Sequence, residues 1–132
     1  MGTLLNSPFL RTALAADAMA SGAMGVALAL APGAIGMITN LPAKLLLGAG
    51  LFLLPYAVAV AWMATRAVLP RAMLWVLVAG NLLWALESAA LPLLGFVAPN
   101  GLGIAFLAVQ AAAVAVFAEL YIVALRRAGR VA

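Results

Sequence analysis

The chain has 132 residues, of which 69% are hydrophobic and 8% charged, and its formal net charge is +4. A water-soluble domain has about 45–50% apolar and about 25% charged residues, so this composition excludes a soluble globular protein and calls for a bilayer as solvent. The chain contains no Cys and no His. This excludes disulfide scaffolds, thiol chemistry and histidine-based pH switches, and it makes a zinc site untenable.

Four apolar segments are each long enough to cross a bilayer, which takes about 20 residues. They cover residues 9–31, 42–65, 71–94 and 101–125. Pro32 ends the first segment, Pro42 and Pro70 stand at the starts of the second and third, and Asn100 precedes the turn into the fourth, as helix punctuation requires. The pattern predicts one all-α domain, an integral membrane bundle of four transmembrane helices.

Two details of this bundle stay open at the level of sequence. Residues 33–39 (GAIGMIT) fit either a short interfacial helix or a continuation of the first span beyond a kink at Pro32, and we favour the interfacial helix. Pro55 lies in the middle of the second span. It removes a backbone donor and crowds the carbonyl of Leu51, which predicts a kink there.

The distribution of Lys and Arg predicts the orientation of the bundle, because positive residues favour the cytoplasmic side. The residues expected on one side are Arg11, Arg66, Arg71, Arg126, Arg127 and Arg130. Only Lys44 is expected on the other side. Both termini are therefore predicted to be cytoplasmic. Trp62, Trp75 and Tyr121 would then form an aromatic belt at the cytoplasmic interface.

A polar stripe interrupts the third span. By rotation of 100° per residue, Asn81, Trp84, Glu87 and Ser88 share about a third of the helix circumference. Glu87 lies sixteen residues after an arginine and Gln110 sixteen before another, which places both roughly 24 Å from the arginine end. The candidate intramembrane site therefore consists of Glu87, Asn81, Ser88, Gln110 and Trp84. In it, a neutral Glu87 would donate to Gln110 or Asn81.

Asp17 and Glu119 form a second acidic layer, roughly 9–11 Å from the arginine end. Glu119 shares its face with a row of alanines, a surface that lets helices approach closely, and Asp17 would meet Arg11 or a neighbouring helix. An unpaired carboxylate in hydrocarbon costs at least about 2.5–3.5 kcal/mol, so we expect the acids to face protein. The interpretation that we favour is that the acids serve packing or simply reach headgroups or water, and an ion or proton pathway is the alternative.

No phosphate loop, nucleophile elbow or metal-ligand cluster is present in the sequence, so no catalytic residue, metal or cofactor is predicted. The segments GNLLWALES (80–88) and PNGLGIAFLAVQAAAVAVFAELYIVALRR (99–127) resemble small four-span proteins of bacterial inner membranes to which no activity has been assigned. The resemblance implies the same fold and location, and carries no residue roles.

Three functional hypotheses follow. The first is a non-enzymatic accessory or assembly subunit of a larger membrane complex, or a self-associating bundle. Its partners would be lipid and other membrane subunits or copies of itself, and not nucleic acid. The second is a small proton-coupled transporter or channel that uses Glu87, Asp17 or Glu119. The third is a binder of lipid or another hydrophobic ligand, with Trp84 and Phe96 lining the site.

Overall fold

A computed structural model describes residues 2–131 of the chain. Its elements are β1 (Thr3–Leu5), α1 (Pro8–Leu30), α2 (Pro32–Thr39), α3 (Ala43–Ala64), β2 (Val68–Pro70), α4 (Arg71–Leu93) and α5 (Gly101–Val131). The helices α1, α3, α4 and α5 are each long and apolar enough to cross a membrane. The prediction of an all-α bundle of four membrane-spanning helices is confirmed.

The helix boundaries lie close to the predicted ones, and local residue chemistry accounts for them. The Ser7 hydroxyl accepts a hydrogen bond from the Leu10 amide at 3.2 Å and caps α1, as N-cap residues do. Ala31 adopts a non-helical conformation (φ −133°, ψ 46°) that separates α1 from α2, so residues 33–39 do not continue the first span. The helix α3 runs on through Pro55.

The spans pack as two tight pairs, α1 with α3 and α4 with α5. Glycines allow the first pair to approach closely: a Cβ added at Gly50 would lie 2.7 Å from the Ala29 amide nitrogen and 2.9 Å from the Gly25 carbonyl oxygen. Contacts between α1 and α5 join the pairs, whereas α3 and α4 scarcely approach each other. The helices therefore follow the spatial order α3–α1–α5–α4, and the side between α3 and α4 is open.

One end of the bundle, here called the arginine end, is closed by a small sheet. The strand β1 pairs antiparallel with β2, with Leu4 opposite Leu69. The Asn6 side-chain amide donates to the carbonyls of Met63, Ala64 and Arg66 at 3.2, 3.2 and 2.8 Å, which lie at and just beyond the end of α3. The chain start and the α3–α4 connection thus lie together, an arrangement that the sequence analysis does not predict.

Asparagines tie the loops together at the opposite, lysine end, where Lys44 lies in the first turn of α3. The Asn100 side chain donates to the Ile38 carbonyl at 2.8 Å, and the Asn40 side chain donates to the Ala98 carbonyl at 2.7 Å. Asn40 itself adopts the left-handed conformation (φ 57°) that ends α2. These bonds fix α2 against the connection between α4 and α5.

Candidate functional site

A buried carboxylate lies at the centre of the bundle. Asp17 of α1 is 1% exposed, and its two oxygens accept three hydrogen bonds from hydroxyl groups. Ser21 donates to Oδ1 at 2.9 Å, while Tyr56 of α3 and Tyr121 of α5 donate to Oδ2 at 2.8 and 2.6 Å. These bonds compensate for the removal of a polar group from water.

The helix α4, which is the third span, joins the same network through Asn81. The Asn81 side-chain amide donates to the Tyr56 hydroxyl at 3.1 Å and to the Leu77 carbonyl of its own helix at 2.8 Å. All four spans are therefore linked by one set of hydrogen bonds, here called the Asp17 network and consisting of Asp17, Ser21, Tyr56, Asn81 and Tyr121. Within the described residues, no group of three or more acidic, His or Cys side chains is placed to hold a metal ion.

The structure decides between the two partners expected for Asp17. The carboxylate bonds to neighbouring helices, whereas Arg11 is exposed and donates to the Arg66 carbonyl at 3.4 Å. The expectation that Tyr121 belongs to an interfacial aromatic belt is wrong, because this side chain is 0% exposed. The sequence contains an indication of this burial. Rotation along the helix places Tyr121 on the same face of the fourth span as Gln110, and that face points into the bundle.

The structure places Glu119 on the outer surface of α5, which agrees with the interpretation that it reaches headgroups or water and not with a carboxylate that faces protein within the chain. Glu119 is exposed, and so are the small residues of its face, Ala105, Ala108 and Ala112. The helix α5 turns the opposite face inward, because the Tyr121 hydroxyl and the Gln110 amide find hydrogen-bond partners there. Glu119 is two residues from Tyr121, which bonds Asp17, so the two acids lie at a similar depth, but of the two only Asp17 faces the interior of the bundle.

The residues of the predicted polar stripe divide between two surroundings. Asn81 and Ser88 are buried, Trp84 is half-buried and Glu87 is exposed. The Trp84 indole donates to the Gln110 side-chain oxygen at 3.0 Å, and Asn81 belongs to the Asp17 network. No hydrogen bond joins Glu87 to Asn81 or Gln110 in the described part of the chain, so the expected partners of Glu87 are wrong.

The open side between α3 and α4 contains two cavities. The lysine-end cavity, of about 390 Å³, has Lys44, Glu87, Ser88 and Gln110 among its lining residues. The arginine-end cavity, of about 450 Å³, is lined mostly by apolar side chains, with Ser21, Tyr56 and Asn81 as its polar residues. The second cavity therefore borders the Asp17 network directly.

An aromatic pair separates the two cavities. The rings of Phe52 and Trp84 stack with centroids 5.9 Å apart, and both residues line both cavities. The Tyr56 ring follows at 6.3 Å from that of Phe52. The two cavities thus form one interrupted groove, here called the α3/α4 crevice. Of the two residues expected to line a hydrophobic site, Trp84 lies in the crevice, whereas Phe96 is 74% exposed and lines neither cavity.

Glycines leave room in the walls of both cavities. Gly48 lines the lysine-end cavity and Gly80 the arginine-end cavity. A Cβ added at either position meets no atom within 4 Å. The space at these positions is open rather than filled by a neighbouring helix.

No family model, curated protein or solved structure matches this chain. The resemblance to small bacterial four-span proteins therefore remains a prediction, and the site is interpreted from its own geometry.

Proposed function

We propose that this protein is a non-enzymatic, multi-pass membrane protein that binds a hydrophobic ligand in the α3/α4 crevice, the ligand in a bilayer being a lipid acyl chain. The observation that carries the proposal is the pairing of the spans. Because α1 packs with α3 and α4 with α5, the bundle keeps one open side, and that side holds both cavities.

The size and lining of the crevice suit such a ligand. Ligand cavities commonly measure about 300–1,000 Å³ and combine apolar walls with a few polar groups, and both cavities fall in this range. The stacked rings of Phe52 and Trp84 offer flat apolar surface to a chain. A lipid tail would also replace the packing contacts that the separated helices do not make with each other.

The Asp17 network supports the same function by fixing the spacing of the helices. Tyr56 of α3 and Asn81 of α4 are joined by a hydrogen bond of 3.1 Å. The Phe52–Trp84 stack is a second contact between the two helices, although their backbones scarcely approach each other. Tyr56 is also tied to Asp17 of α1. The network therefore holds α3 and α4 at a distance that leaves the crevice open.

Filling the crevice tests the proposal. We expect wild-type protein, purified in mild detergent and examined by native mass spectrometry, to retain bound lipid. The combined variant Gly48→Leu, Gly80→Leu places side chains in the two cavities and should lose most of it. Gly33→Leu is the matched control, because Gly33 is exposed in α2, lines neither cavity and has no atom within 4 Å of an added Cβ. Equal lipid retention by all three proteins contradicts the proposal.

The outer face of α5 favours a second candidate, self-association or assembly with another membrane subunit. Ala105, Ala108 and Ala112 are exposed along this helix, and small residues allow close helix approach in membranes. Introducing Leu at Ala108 and Ala112 should then disrupt oligomers measured by light scattering in detergent. A wild-type protein that is monomeric and purifies without a partner argues against this candidate.

Transport driven by intramembrane acids receives less support from the geometry. Glu87 and Glu119 are exposed, and Asp17 is enclosed by three hydroxyl donors. Liposome flux measured with a pH-sensitive dye, compared between wild type and Asp17→Asn, addresses this alternative. A proton flux that the variant abolishes would favour transport over ligand binding alone.

We further propose a location in the bacterial inner membrane with both termini in the cytoplasm. The distribution of basic residues supports this orientation. One end of the bundle carries Arg66, Arg71 and Arg126, and there Arg71 donates to the Leu125 carbonyl at 3.0 Å. The other end carries Lys44. Because the chain has no Cys, single-cysteine variants at Thr3 and Gly33 provide clean reporters. In intact spheroplasts, an impermeant maleimide should label the cysteine at position 33 and leave the one at position 3 unlabelled.

A further inference from the structure

We propose that the lysine-end cavity binds the headgroup of a zwitterionic aminophospholipid, with the phosphate at Lys44 and the primary ammonium group at Glu87. This inference rests on the proposed lipid-binding function and names the class of lipid. The inference depends on the charged side chains that line the lysine-end cavity and on the position of this cavity along the bundle.

Two opposite charges line the same cavity from different helices. Lys44 lies in the first turn of α3 and Glu87 lies on α4, on the two walls of the α3/α4 crevice. Both side chains are exposed, and neither forms a hydrogen bond with another residue in the described part of the chain. A ligand that carries one negative and one positive group complements both charges at once.

A buried amide supplies a further polar group. Gln110 lines the lysine-end cavity. Its side-chain nitrogen is buried without a hydrogen-bond partner among the described residues, while its oxygen accepts from Trp84. A buried donor without an acceptor is costly. Gln110 therefore adds an uncharged polar side chain to the wall of the cavity that Lys44 and Glu87 also line.

The length of the crevice matches one leaflet. Half of a hydrocarbon core of about 30 Å is about 15 Å, which corresponds to about ten residues of helix. Counted from Lys44 along α3, this distance passes Phe52 and ends near Leu54, two residues before Tyr56. A phospholipid with its headgroup at Lys44 therefore extends its chains to the Phe52–Trp84 pair that ends the lysine-end cavity.

Glu87 distinguishes between headgroups by hydrogen bonding. A primary ammonium group donates up to three charge-assisted hydrogen bonds to a carboxylate. The choline group has no N–H donor, and the glycerol headgroup of phosphatidylglycerol has no positive charge. The geometry therefore favours phosphatidylethanolamine over both.

Competition between lipids with matched chains tests this inference. Wild-type protein is exchanged into micelles that contain equal amounts of phosphatidylethanolamine, phosphatidylcholine and phosphatidylglycerol, and bound lipid is counted by native mass spectrometry. We expect phosphatidylethanolamine to be retained over each of the others by roughly three- to tenfold, the range of a weak charge-assisted hydrogen bond at an exposed site. Glu87→Gln should lower the retention of phosphatidylethanolamine to that of the other two phospholipids.

Matched variants isolate each charge. Glu119→Gln changes an exposed glutamate that lines neither cavity and should keep the preference. Lys44→Gln should lower the retention of all three phospholipids relative to diacylglycerol, whereas Arg66→Gln at the arginine end should not. Equal retention of the three phospholipids by wild type, or a preference that survives Glu87→Gln, overturns the inference and leaves the proposed function standing. Wild-type protein without any bound lipid overturns the proposed function itself.

Discussion

The Tyr121 hydroxyl donates a hydrogen bond of 2.6 Å to the Asp17 carboxylate, although 104 residues separate the two positions in the chain. Both side chains are at most 1% exposed. This bond connects the first span to the last and so links the two helix pairs, α1 with α3 and α4 with α5. Together with the bond from Tyr56, it fixes the architecture on which the α3/α4 crevice depends.

Removing the Tyr121 hydroxyl should weaken this link measurably. Hydrogen bonds between membrane helices average about 0.6 kcal/mol and reach about 1.7 kcal/mol, so we expect Tyr121→Phe to lower the free energy of unfolding by about 0.5–1.5 kcal/mol. Unfolding in mixed detergent micelles measures the change. Because Tyr56 donates to the same carboxylate oxygen, the double variant with Tyr56→Phe should deviate from additivity. Strict additivity would show that the two hydroxyls act independently.

Replacing the carboxylate should cost more than removing one hydroxyl. Asp17→Ala leaves three hydroxyl donors without their acceptor, and one of them, on Tyr121, is fully buried. We expect a loss of about 2–4 kcal/mol. Glu119→Ala removes an exposed acid from another span and should change stability little. Similar losses in both variants would contradict the central position of Asp17.

The spans and most of their ends follow directly from the sequence, because hydropathy, prolines and asparagines act locally. The side that each helix turns toward the interior of the bundle does not follow from the sequence in this way. The alanines around Glu119 suggested a packed face for α5, yet Tyr121 and Gln110 determine its rotation through partners on α1 and α4. Partners so distant in sequence cannot be identified from the periodicity of a single helix.

Because α1 and α3 approach each other closely at Gly50 but not at Gly48, we expect replacing these two glycines by alanine to have opposite effects on stability. Gly50→Ala would place a Cβ 2.9 Å from the Gly25 carbonyl and from the Leu28 Cβ. We expect the strain, about 1–3 kcal/mol, to exceed the gain of about 1 kcal/mol from replacing a helical glycine. At Gly48 the added Cβ meets open space, so Gly48→Ala should stabilise. Thermal unfolding in detergent measures both, and stabilisation by both substitutions would contradict the observed packing.

We expect the hydrogen bonds of the Asn6 side chain to stabilise the small sheet that closes the arginine end. It donates to three carbonyls at and beyond the end of α3. Asn6→Ala should increase amide hydrogen exchange in residues 3–5 and 68–69, and Asn6→Asp should increase it further, because a carboxylate facing carbonyl oxygens repels them. The protection of residues 38–40 and of Asn100 at the lysine end serves as the internal control and should not change.

Only part of the candidate site could be inferred from the sequence. The polar stripe on α4 pointed correctly to Asn81, Trp84 and Ser88 as inward or partly inward residues. Tyr56 was not recognised, because a tyrosine one residue after Pro55 gives no signal of its role until Asp17 is placed beside it. The α3/α4 crevice could not be predicted either, because it results from the pairing of the helices, and this pairing depends on the whole bundle.

Quenching of Trp84 fluorescence tests the central claim, a lipid in the α3/α4 crevice, most directly. In a Trp62→Phe, Trp75→Phe background, Trp84 is the single tryptophan, and it lines both cavities. The protein is reconstituted with increasing fractions of a phospholipid brominated on its chains. A crevice-bound chain predicts quenching that saturates at a low brominated fraction and loses this saturation when Gly48→Leu and Gly80→Leu are added. Quenching proportional to the brominated fraction in both proteins would contradict the claim.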